Sequence, residues 1–349
     1  MDAASQRTLA IRAPNWVGDV VMATPVLEAA LESRAWSRVD ILLRKHLAPV
    51  LADGPCAARV IGIGGDRDEI EAYRKLRPSA VLLLTSSFGS AWRALRGGVR
   101  DRFGAQLSAR RLLLTKRWVP PSRDGRRVPI PTAHLFRDVA RLAEIDVGDM
   151  HPRLHVRDTV KQAERERLER LGVDPARGYL LCCPGAAFGA AKLWPAEHFA
   201  VALDRLAERT GARAVVTGGP GEERLIEAVA ASCARPTVSL AKEPRTLEGL
   251  KALVAGARLL LVGDSGPRWY AAAFDVPCVS VNGPIFPELA QSSMEWAEIV
   301  RVDGLECSPC LARRCPLEHH RCMLELDHAR VVAAAERVLA RQAQRRAIG

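Results

Sequence analysis

A loop near the N-terminus carries a carboxylate that could take part in group transfer. The apolar run at 8–13 is followed by NWVGD at 15–19, which ends at the start of a helical pattern. A carboxylate at Asp19 could remove a proton from a hydroxyl group within hydrogen-bond reach, and Gly18 would let a substrate approach the backbone closely. The same spacing also allows Asp19 simply to cap the helix. The residues therefore indicate a candidate general base and leave the capping alternative open.

A second loop carries a single cation where a strand gives way to a helix. The run YLLCCPG at 179–185 leads to Lys192, which lies just before a helix that begins at Pro195. An ammonium group can act as a point charge on phosphate, so Lys192 could neutralise a diphosphate leaving group. A hydrated surface lysine without a ligand is the alternative interpretation.

Two more loops in the second half of the chain have the composition of anion sites. VGDSGP at 262–267 follows an apolar strand and opens a helix, so that its backbone amides could hold a diphosphate. GGPGEE at 218–223 occupies a similar position, and Glu222 could accept a hydrogen bond from a ribose hydroxyl. Neither GxxxxGK[ST] nor GxGxxG follows the opening strands, which argues against ATP hydrolysis and NAD binding. A capped turn without a ligand is the alternative for VGDSGP.

Four of the nine cysteines have the spacing C-x2-C-x4-C-x6-C, with two histidines among them: Cys307, Cys310, Cys315, His319, His320 and Cys322. Four thiolates can close a tetrahedral zinc shell. The spacing lacks the paired knuckles of common zinc ribbons. We therefore assign no metal and no other cofactor, and the question of a structural metal at these cysteines is left open.

Alternating strands and helices must position these loops. Short apolar runs alternate with helical patterns in both halves, which is typical of parallel βαβ architecture. The predicted strands are 8–13, 39–44, 58–63, 80–84 and 111–115 in the first half, and 179–185, 213–219, 236–240, 258–264 and 278–284 in the second. The sequence therefore predicts an α/β protein with two Rossmann-like, doubly wound parallel-sheet domains facing a cleft, with ligands at the carboxyl ends of the strands.

The pattern restarts after a charged, Pro-containing segment at 151–178, which we take as the region of the domain boundary. A length of 349 residues also favours two domains. We predict an N-terminal domain at 1–165 and a C-terminal domain at 166–328. The remaining helix at 329–349 is predicted to pack back on the N-terminal domain.

Charge and composition narrow the class of partner. The net charge is +11, and residues 91–130 hold eleven Arg and Lys against only Asp101 and Asp124. Such a segment attracts anionic partners, with a solvated basic face as the alternative. No zinc-finger or RNP motif accompanies it, so we expect no nucleic-acid partner. The sequence shows no signal peptide or run of about 18 apolar residues, and its odd number of cysteines suits a reducing compartment, so we expect a cytoplasmic protein.

Six pieces of the chain match one known family in the family's order: NWVGDVVMATP, SSFGSAW, RLLLTKRW, PGAAFGAAKLWPAEHFA, GDSGP and CSPCLARRCPLEHHRCM. On these motifs the sequence resembles glycosyltransferase family 9, the bacterial lipopolysaccharide heptosyltransferases. The resemblance implies a GT-B fold with the acceptor in the N-terminal half and ADP-heptose or another nucleotide sugar in the C-terminal half. It also implies inverting, metal-independent transfer of heptose to the inner-core heptose of an anionic lipid A core acceptor, with peripheral contact at the inner face of the inner membrane.

The resemblance further implies roles for individual residues. The family's catalytic aspartate falls on Asp19, and its phosphate-binding lysine falls on Lys192. The family's donor-binding positions fall on Glu222, Asp264, Ser265 and Gly266, and we add Gly185 and Arg268 to the predicted donor-binding residues. The positions assigned to acceptor binding are Asn15, Trp16, Gly18, Lys116 and Arg117.

Two positions depart from the family pattern. After GDSGP the family usually has Met-His, whereas this chain has Arg268-Trp269, which changes the surroundings of the donor phosphates. The family's Ser-Phe-Arg-Ser reads SFGS at 87–90, which removes one contact to an acceptor anion. Two alternatives therefore stand beside the main reading. The protein could use a different nucleotide sugar, or it could be a non-catalytic homologue that binds anionic glycolipid.

Overall fold

The structure is a computed structural model that describes residues 7–243 and 245–348. The chain divides into two units between His155 and Val156, and residues 288–292 group with the first unit. We call these the N-terminal and C-terminal units. The predicted boundary at 165/166 is wrong, because it would cut the helix Asp158–Arg170. That helix belongs to the C-terminal unit, where its Glu164 pairs with Arg245 at 3.0 Å.

The N-terminal unit is built on a six-stranded sheet with the order β3-β2-β1-β4-β5-β6, and all neighbouring strands are parallel. Buried aliphatic residues fill β1, β2 and β4, as expected for a sheet covered on both faces. The strands are β1 Thr8–Arg12, β2 Arg38–Arg44, β3 Val60–Ile63, β4 Ala80–Leu83, β5 Asp101–Ala105 and β6 Lys116–Trp118.

From residue 7 onward, four α-helices connect these strands or follow them: α1 Val17–Glu32, α2 Asp66–Leu76, α3 Phe88–Arg96 and α4 Thr132–Ala140. A hairpin of β7 Ser122–Arg123 and β8 Arg126–Arg127 turns through Asp124 and Gly125, both with positive φ. Positive φ at both central residues is typical of the tight turn that joins antiparallel strands. Short 3₁₀ helices lie at Lys45–Val50, Ala57–Arg59, Arg110–Leu113 and Arg141–Ala143.

Four of the five strands predicted in this unit are confirmed as β1 to β4. The predicted strand at 111–115 is wrong: Arg110–Leu113 forms a 3₁₀ helix in which Leu112 is 92% exposed. Its leucines therefore do not form the buried face of a strand. The sheet continues instead through β5 and β6, which the sequence pattern missed because both carry charged residues.

The C-terminal unit repeats the same topology, with the order β11-β10-β9-β12-β13-β14 in a second all-parallel sheet. All five strands predicted for this half are confirmed in position. The last strand, Ala297–Val300, was not predicted. The strands are β9 Tyr179–Cys183, β10 Arg213–Val216, β11 Thr237–Ser239, β12 Leu259–Gly263, β13 Cys278–Val281 and β14 Ala297–Val300.

Among the described residues of this unit there are seven α-helices: α5 Asp158–Arg170, α6 Ala196–Thr210, α7 Glu223–Ser232, α8 Leu247–Ala255, α9 Pro267–Ala273, α10 Arg321–Leu324 and α11 His328–Ile348. Two 3₁₀ helices of this unit lie at Pro175–Arg177 and Ala190–Lys192, and a third, Pro287–Ala290, lies where residues 288–292 group with the N-terminal unit. Within residues 7–243 and 245–348, none of the helices is both long and apolar enough to cross a membrane.

The terminal helix α11 forms part of the core of the C-terminal unit. Val331, Val332 and Val338 of this helix are buried together with Trp194, Phe199 and aliphatic residues of that sheet. Its polar face is tied to β14, where Arg337 and Arg341 pair with Glu298 at 2.5 and 2.9 Å. The predicted packing of 329–349 on the N-terminal domain is therefore wrong for this buried face, since its valines complete the second core.

Candidate functional site

The loop after β1 lies where the strand order of the N-terminal sheet reverses. β1 pairs with β2 on one side and with β4 on the other, so successive crossovers leave in opposite directions. In doubly wound sheets, ligands bind outside the carboxyl ends of the strands at this point. The loop ends at Trp16, and α1 begins at Val17. Residues 15–19 therefore lie at the position in this unit where the fold favours a ligand.

Asp19 lies in the first turn of α1 and is half-buried. The N-cap residue of this helix is Trp16, which makes no side-chain capping hydrogen bond and is 50% exposed. Asp19 therefore does not occupy the capping position that its spacing also allowed. A carboxylate in the first turn still interacts favourably with the helix dipole. This geometry does not test whether Asp19 acts as a general base, and that role stays a prediction.

Arg12, the last residue of β1, holds the loop in place from within the fold. Its guanidinium donates to Asn15 Oδ1 at 2.7 Å and to the carbonyl oxygen of Ala13. Its Nε lies 3.2 Å from a carboxylate oxygen of Glu69 on α2, and both side chains are fully buried. Glu69 also pairs with Arg93 of α3 at 3.0 Å. The sequence analysis missed this network, because its members come from three separate elements that only the fold brings together.

Lys116 and Arg117 lie apart from this loop, on the edge strand β6, and both are exposed. Three strand spacings separate β6 from β1, which amounts to roughly 14 Å. Lys116 Nζ is 4.9 Å from the centre of the Phe103 ring. The structure therefore does not bring these two cations together with Asn15 and Asp19.

Part of the basic segment at 91–130 serves the fold itself. Arg110 is fully buried and donates to the carbonyl oxygens of Thr85 and Ala105 at 2.6 and 2.8 Å. Burial lowers the pKa of Arg110 to about 10. Arg102 likewise donates to the carbonyl oxygen of Leu113 at 2.6 Å. The charge available to a partner is therefore smaller than the sequence count of this segment suggests.

In the C-terminal unit the order of strands reverses between β9 and β12, and the loops after these two strands meet. Lys192 follows β9 and forms an ion pair with the carboxylate of Asp264, which follows β12. Lys192 Nζ also lies 3.4 Å from the carbonyl oxygen of Asp264 and 4.7 Å from the centre of the Phe188 ring. The ammonium group is largely buried. The two residues that the sequence placed at separate loops are therefore in direct contact.

Glu222 lies in the loop after β10, at the same carboxyl-terminal end of the strands of this sheet. Its carboxylate accepts a hydrogen bond from the backbone N–H of Gly219 at 2.7 Å. A Cβ atom on Gly185 would overlap this carboxylate, and one on Gly218 would lie 2.6 Å from Glu222 Oε2. Burial raises the pKa of Glu222, and the Gly219 hydrogen bond opposes that shift. Glycine at both positions is therefore what allows the carboxylate to lie against the backbone.

Ser265 and Gly266 follow Asp264 and are half-buried at the start of α9. Arg268, in contrast, is only 2% exposed. Its guanidinium stacks on Trp269 at 4.1 Å from the ring and donates to Met294 Sδ at 2.9 Å. Burial lowers its pKa. These contacts favour a packing role for Arg268, and its predicted contact with a donor stays a prediction.

The four clustered cysteines also lie close to one another in space. Cys307, Cys310, Cys315 and Cys322 all line one small cavity. Burial, together with the charges of the other three thiols, raises the pKa of Cys322 to about 11. Cys310 is exposed, and the other three are half-buried.

Comparison with known proteins agrees with the sequence motifs. Residues 71–321 match the family model described as glycosyltransferase family 9 (heptosyltransferase). The chain is 31% identical over 160 residues to lipooligosaccharide heptosyltransferase 2 of Campylobacter jejuni, a match that spans 45% of this chain and 49% of that protein. It therefore covers about half of that relative's length. Lipooligosaccharide heptosyltransferase 2 of Haemophilus ducreyi is 24% identical over 358 residues, covering 94% of this chain and 98% of the relative.

A solved structure shares the fold along the whole length. The structure of ADP-heptose LPS heptosyltransferase II from E. coli superimposes with a TM-score of 0.75 at 23% identity, covering 97% of this chain and 99% of that one. The two parallel sheets and this likeness confirm the predicted GT-B fold of two Rossmann-like domains. The resemblance that the six motifs indicated is also confirmed.

Proposed function

The chain belongs to glycosyltransferase family 9, the heptosyltransferases, and we propose that it transfers heptose from ADP-heptose to the inner-core heptose of a lipid A acceptor in lipopolysaccharide core biosynthesis. The observation that carries this proposal is that each sheet has a charged side chain beyond the point where its strand order reverses. A carboxylate follows β1 in one sheet, and a cation follows β9 in the other. Each unit therefore presents one of the two charges that glycosyl transfer requires.

On the acceptor side, Asp19 is the proposed general base. Its carboxylate takes the proton from an acceptor hydroxyl as that oxygen forms a bond to the anomeric carbon of the donor. The bond from the anomeric carbon to the phosphate oxygen breaks on the opposite face, so the configuration inverts and ADP leaves. The buried Arg12–Glu69 pair supports this assignment, because it fixes Asn15 and hence the loop that leads into Asp19. Asn15, Trp16 and Gly18 would line the acceptor beside the base.

On the donor side, Lys192 is proposed to stabilise the negative charge that develops on the departing diphosphate. Its ion pair with Asp264 supports this role, since the ammonium group is already held at the sheet edge in a largely buried position. A diphosphate carries more negative charge than one carboxylate and would draw the ammonium group towards itself. Ser265 and Gly266 would supply backbone N–H groups beside it, and Glu222 would accept a hydrogen bond from the ribose.

The acceptor proposed here is anionic, which fits the remaining exposed cations of the basic segment. Lys116 and Arg117 lie roughly 14 Å from the Asp19 loop by strand spacing. That distance suits phosphate groups on a neighbouring part of a core oligosaccharide better than the reacting sugar itself. We further propose that this face meets the anionic inner surface of the inner membrane, where such acceptors are anchored.

A different nucleotide sugar is the second candidate, because of the buried Arg268–Trp269 pair. Trp269 is 6% exposed, and Arg268 stacks on it, so a bulky pair fills the start of α9. A smaller or differently shaped sugar would then suit the site next to Asp264.

Titration calorimetry of the purified protein with ADP-heptose, ADP and UDP tests the proposal. Binding of ADP-heptose and ADP without UDP is the expected result. Binding of UDP and its sugars instead would replace heptose by another donor. If none of the three binds, the proposed function is contradicted, and either another nucleotide sugar or a binding role for anionic glycolipid takes its place.

A further inference from the structure

The segment that carries most of the cysteine cluster has no regular structure of its own. Residues 301–320 run from the end of β14 to the start of α10 without a helix or a strand. Irregular segments of this length are uncommon in folded domains unless they are functional or are fixed by something other than backbone ladders. Three of the four cysteines lie within this segment, and Cys322 lies on α10.

All four cysteines face a common space. A cavity of about 20 Å³ is lined by Cys307, Cys310, Cys315 and Cys322, with His319 and His320 beside them. A space of this size holds one water molecule or one ion. Small irregular segments that lack a core are often fixed by a metal instead.

The same segment holds the loop that carries Lys192. The backbone N–H of Ala191 donates to the carbonyl oxygen of Arg313 at 3.0 Å. His320 Nε2 lies 3.0 Å from the carbonyl oxygen of Ala191, and Arg313 donates to the carbonyl oxygen of Phe188 at 3.4 Å. A Cβ atom on Gly189 would overlap the Arg313 carbonyl, and its φ of 151° favours glycine. The two stretches of chain are therefore packed backbone to backbone.

From this arrangement we infer that Cys307, Cys310, Cys315 and Cys322 together bind one thiophilic divalent metal ion such as zinc, and that the bound metal positions the Lys192 loop. A shell of four thiolates is closed, so this metal is structural and takes no part in bond making. Four thiolates fill a tetrahedral zinc shell, so the site needs no histidine. His320 contacts the carbonyl oxygen of Ala191, and His319 Nδ1 accepts from the backbone N–H of Arg321.

Metal binding requires the thiols to turn towards the cavity. In the described part of the chain, no group of three or more His, Cys, Asp or Glu side chains is already arranged around a metal position. A cysteine side chain reaches a new position by rotation of χ1 alone, between staggered rotamers. All four cysteines line the cavity, so the proposal requires that their side chains rotate towards its centre.

Metal analysis of the full chain, purified without chelators, tests the site. We expect about one zinc per chain, released when the thiols are blocked with a mercurial reagent. After metal removal under reducing conditions, Co²⁺ should give the visible bands and thiolate charge-transfer absorption of a tetrahedral site. A protein that holds no metal when purified, and whose Co²⁺ complex lacks thiolate absorption, would overturn the inference.

A pair of variants separates the cluster from the other cysteines. C315S should lose the metal, whereas C233S, which changes a cysteine outside the cluster at the C-terminal end of α7, should keep it. The mercurial release from the unchanged protein decides the matter if C315S fails to fold. Retention of a full equivalent of metal by folded C315S would contradict the four-cysteine shell.

The positioning role rests on the proposed function and needs its own measurement. ADP should bind several-fold more weakly to the metal-free protein than to the zinc-loaded protein. Equal affinities would remove the positioning role while leaving the metal site intact. Failure of both forms to bind ADP would count against the proposed function, and the positioning role would fall with it, since it presupposes a phosphate at Lys192.

Discussion

The carboxylate of Glu222 lies against Gly185, in the space that a Cβ atom at that position would need. The two residues come from the loops after β10 and β9, which are neighbouring strands of the C-terminal sheet. Glycine at 185 therefore sets where the carboxylate can lie, and the carboxylate in turn is held by the N–H of Gly219. This contact links the backbone of one strand end to a proposed ribose-binding group.

G185A is expected to displace Glu222 and to weaken ADP binding, with a loss of stability. A Cβ atom that meets a half-buried carboxylate forces the side chain or the backbone to move, which typically costs about 1–3 kcal/mol. Thermal unfolding and ADP titration measure the two effects. G148A is the matched control, since a Cβ there meets nothing within 4 Å. The stability loss should shrink in G185A/E222A. If the double variant loses as much stability as G185A, then Glu222 is not the group that the new Cβ atom displaces.

E222Q should make the protein more stable near neutral pH. Burial raises the pKa of Glu222 in the folded state, so the folded protein holds this proton more tightly than the unfolded chain does. The charged carboxylate therefore lowers stability once the pH exceeds the pKa of the unfolded chain, about 4.3, and the effect vanishes below that pH. Unfolding temperatures measured from pH 3.5 to 8 for wild type and E222Q test this.

The neighbouring residue provides a control of opposite sign. The N–H of Gly221 lowers the pKa of Glu223, so its charge adds stability at neutral pH that is lost as the pH falls. E223Q should therefore be the less stable variant near neutrality. A shift of the same sign for both variants would contradict the assignment.

E69Q should destabilise the N-terminal unit strongly. Removal of the Glu69 charge leaves the fully buried guanidinium of Arg12 without its carboxylate, and breaking such a pair costs about 3–5 kcal/mol. Denaturant unfolding provides the measurement. E144Q, which breaks the exposed pair with Arg7, should cost at most about 1 kcal/mol. Comparable losses in the free energy of unfolding would mean that the buried Arg12–Glu69 pair stabilises the fold no more than the exposed Arg7–Glu144 pair does.

K192M should reduce the affinity for ADP by roughly tenfold or more, because a hydrogen bond to a charged group contributes about 1.5–3 kcal/mol. The change also leaves the carboxylate of Asp264 without its cation. K242M, at an exposed lysine of the same unit, is the control and should bind ADP as the wild type does. Unchanged ADP affinity in K192M would remove this residue from the donor site.

The strands beside the two points where the strand order reverses, β1, β4, β9 and β12, could be predicted from the sequence, because each contains a run of consecutive apolar residues. β5 could not, since DRFGA at 101–105 begins with two charged residues. The leucines at 111–115 gave the opposite error. Their apolar run is typical of a buried strand, yet Leu112 is almost fully exposed. A hydrophobic pattern in the sequence predicts burial correctly only where other parts of the fold cover the segment.

The candidate site also has residues that the sequence predicts and contacts that it does not. Asp19, Lys192 and Asp264 are identified by their loops, whose place at the strand ends follows from the βα pattern. The supports of those loops depend on partners far away along the chain. Arg12 finds Glu69 only after α2 packs on the sheet, and Ala191 meets Arg313 only after the cysteine segment has folded. Charge and spacing in the sequence alone carry no signal for such pairs.

One assay tests the central claim most directly: release of ADP and formation of the heptosylated product from ADP-heptose and an inner-core acceptor, measured for wild type and D19N. The wild type should transfer heptose with inversion, and D19N should bind ADP normally but lose transfer, since removal of a general base typically costs about 10²–10⁴-fold. E32Q, at an exposed position near the other end of α1, should keep full activity. Turnover by D19N at the wild-type rate would contradict the assignment of the base. Absence of transfer by the wild type would contradict the proposed reaction.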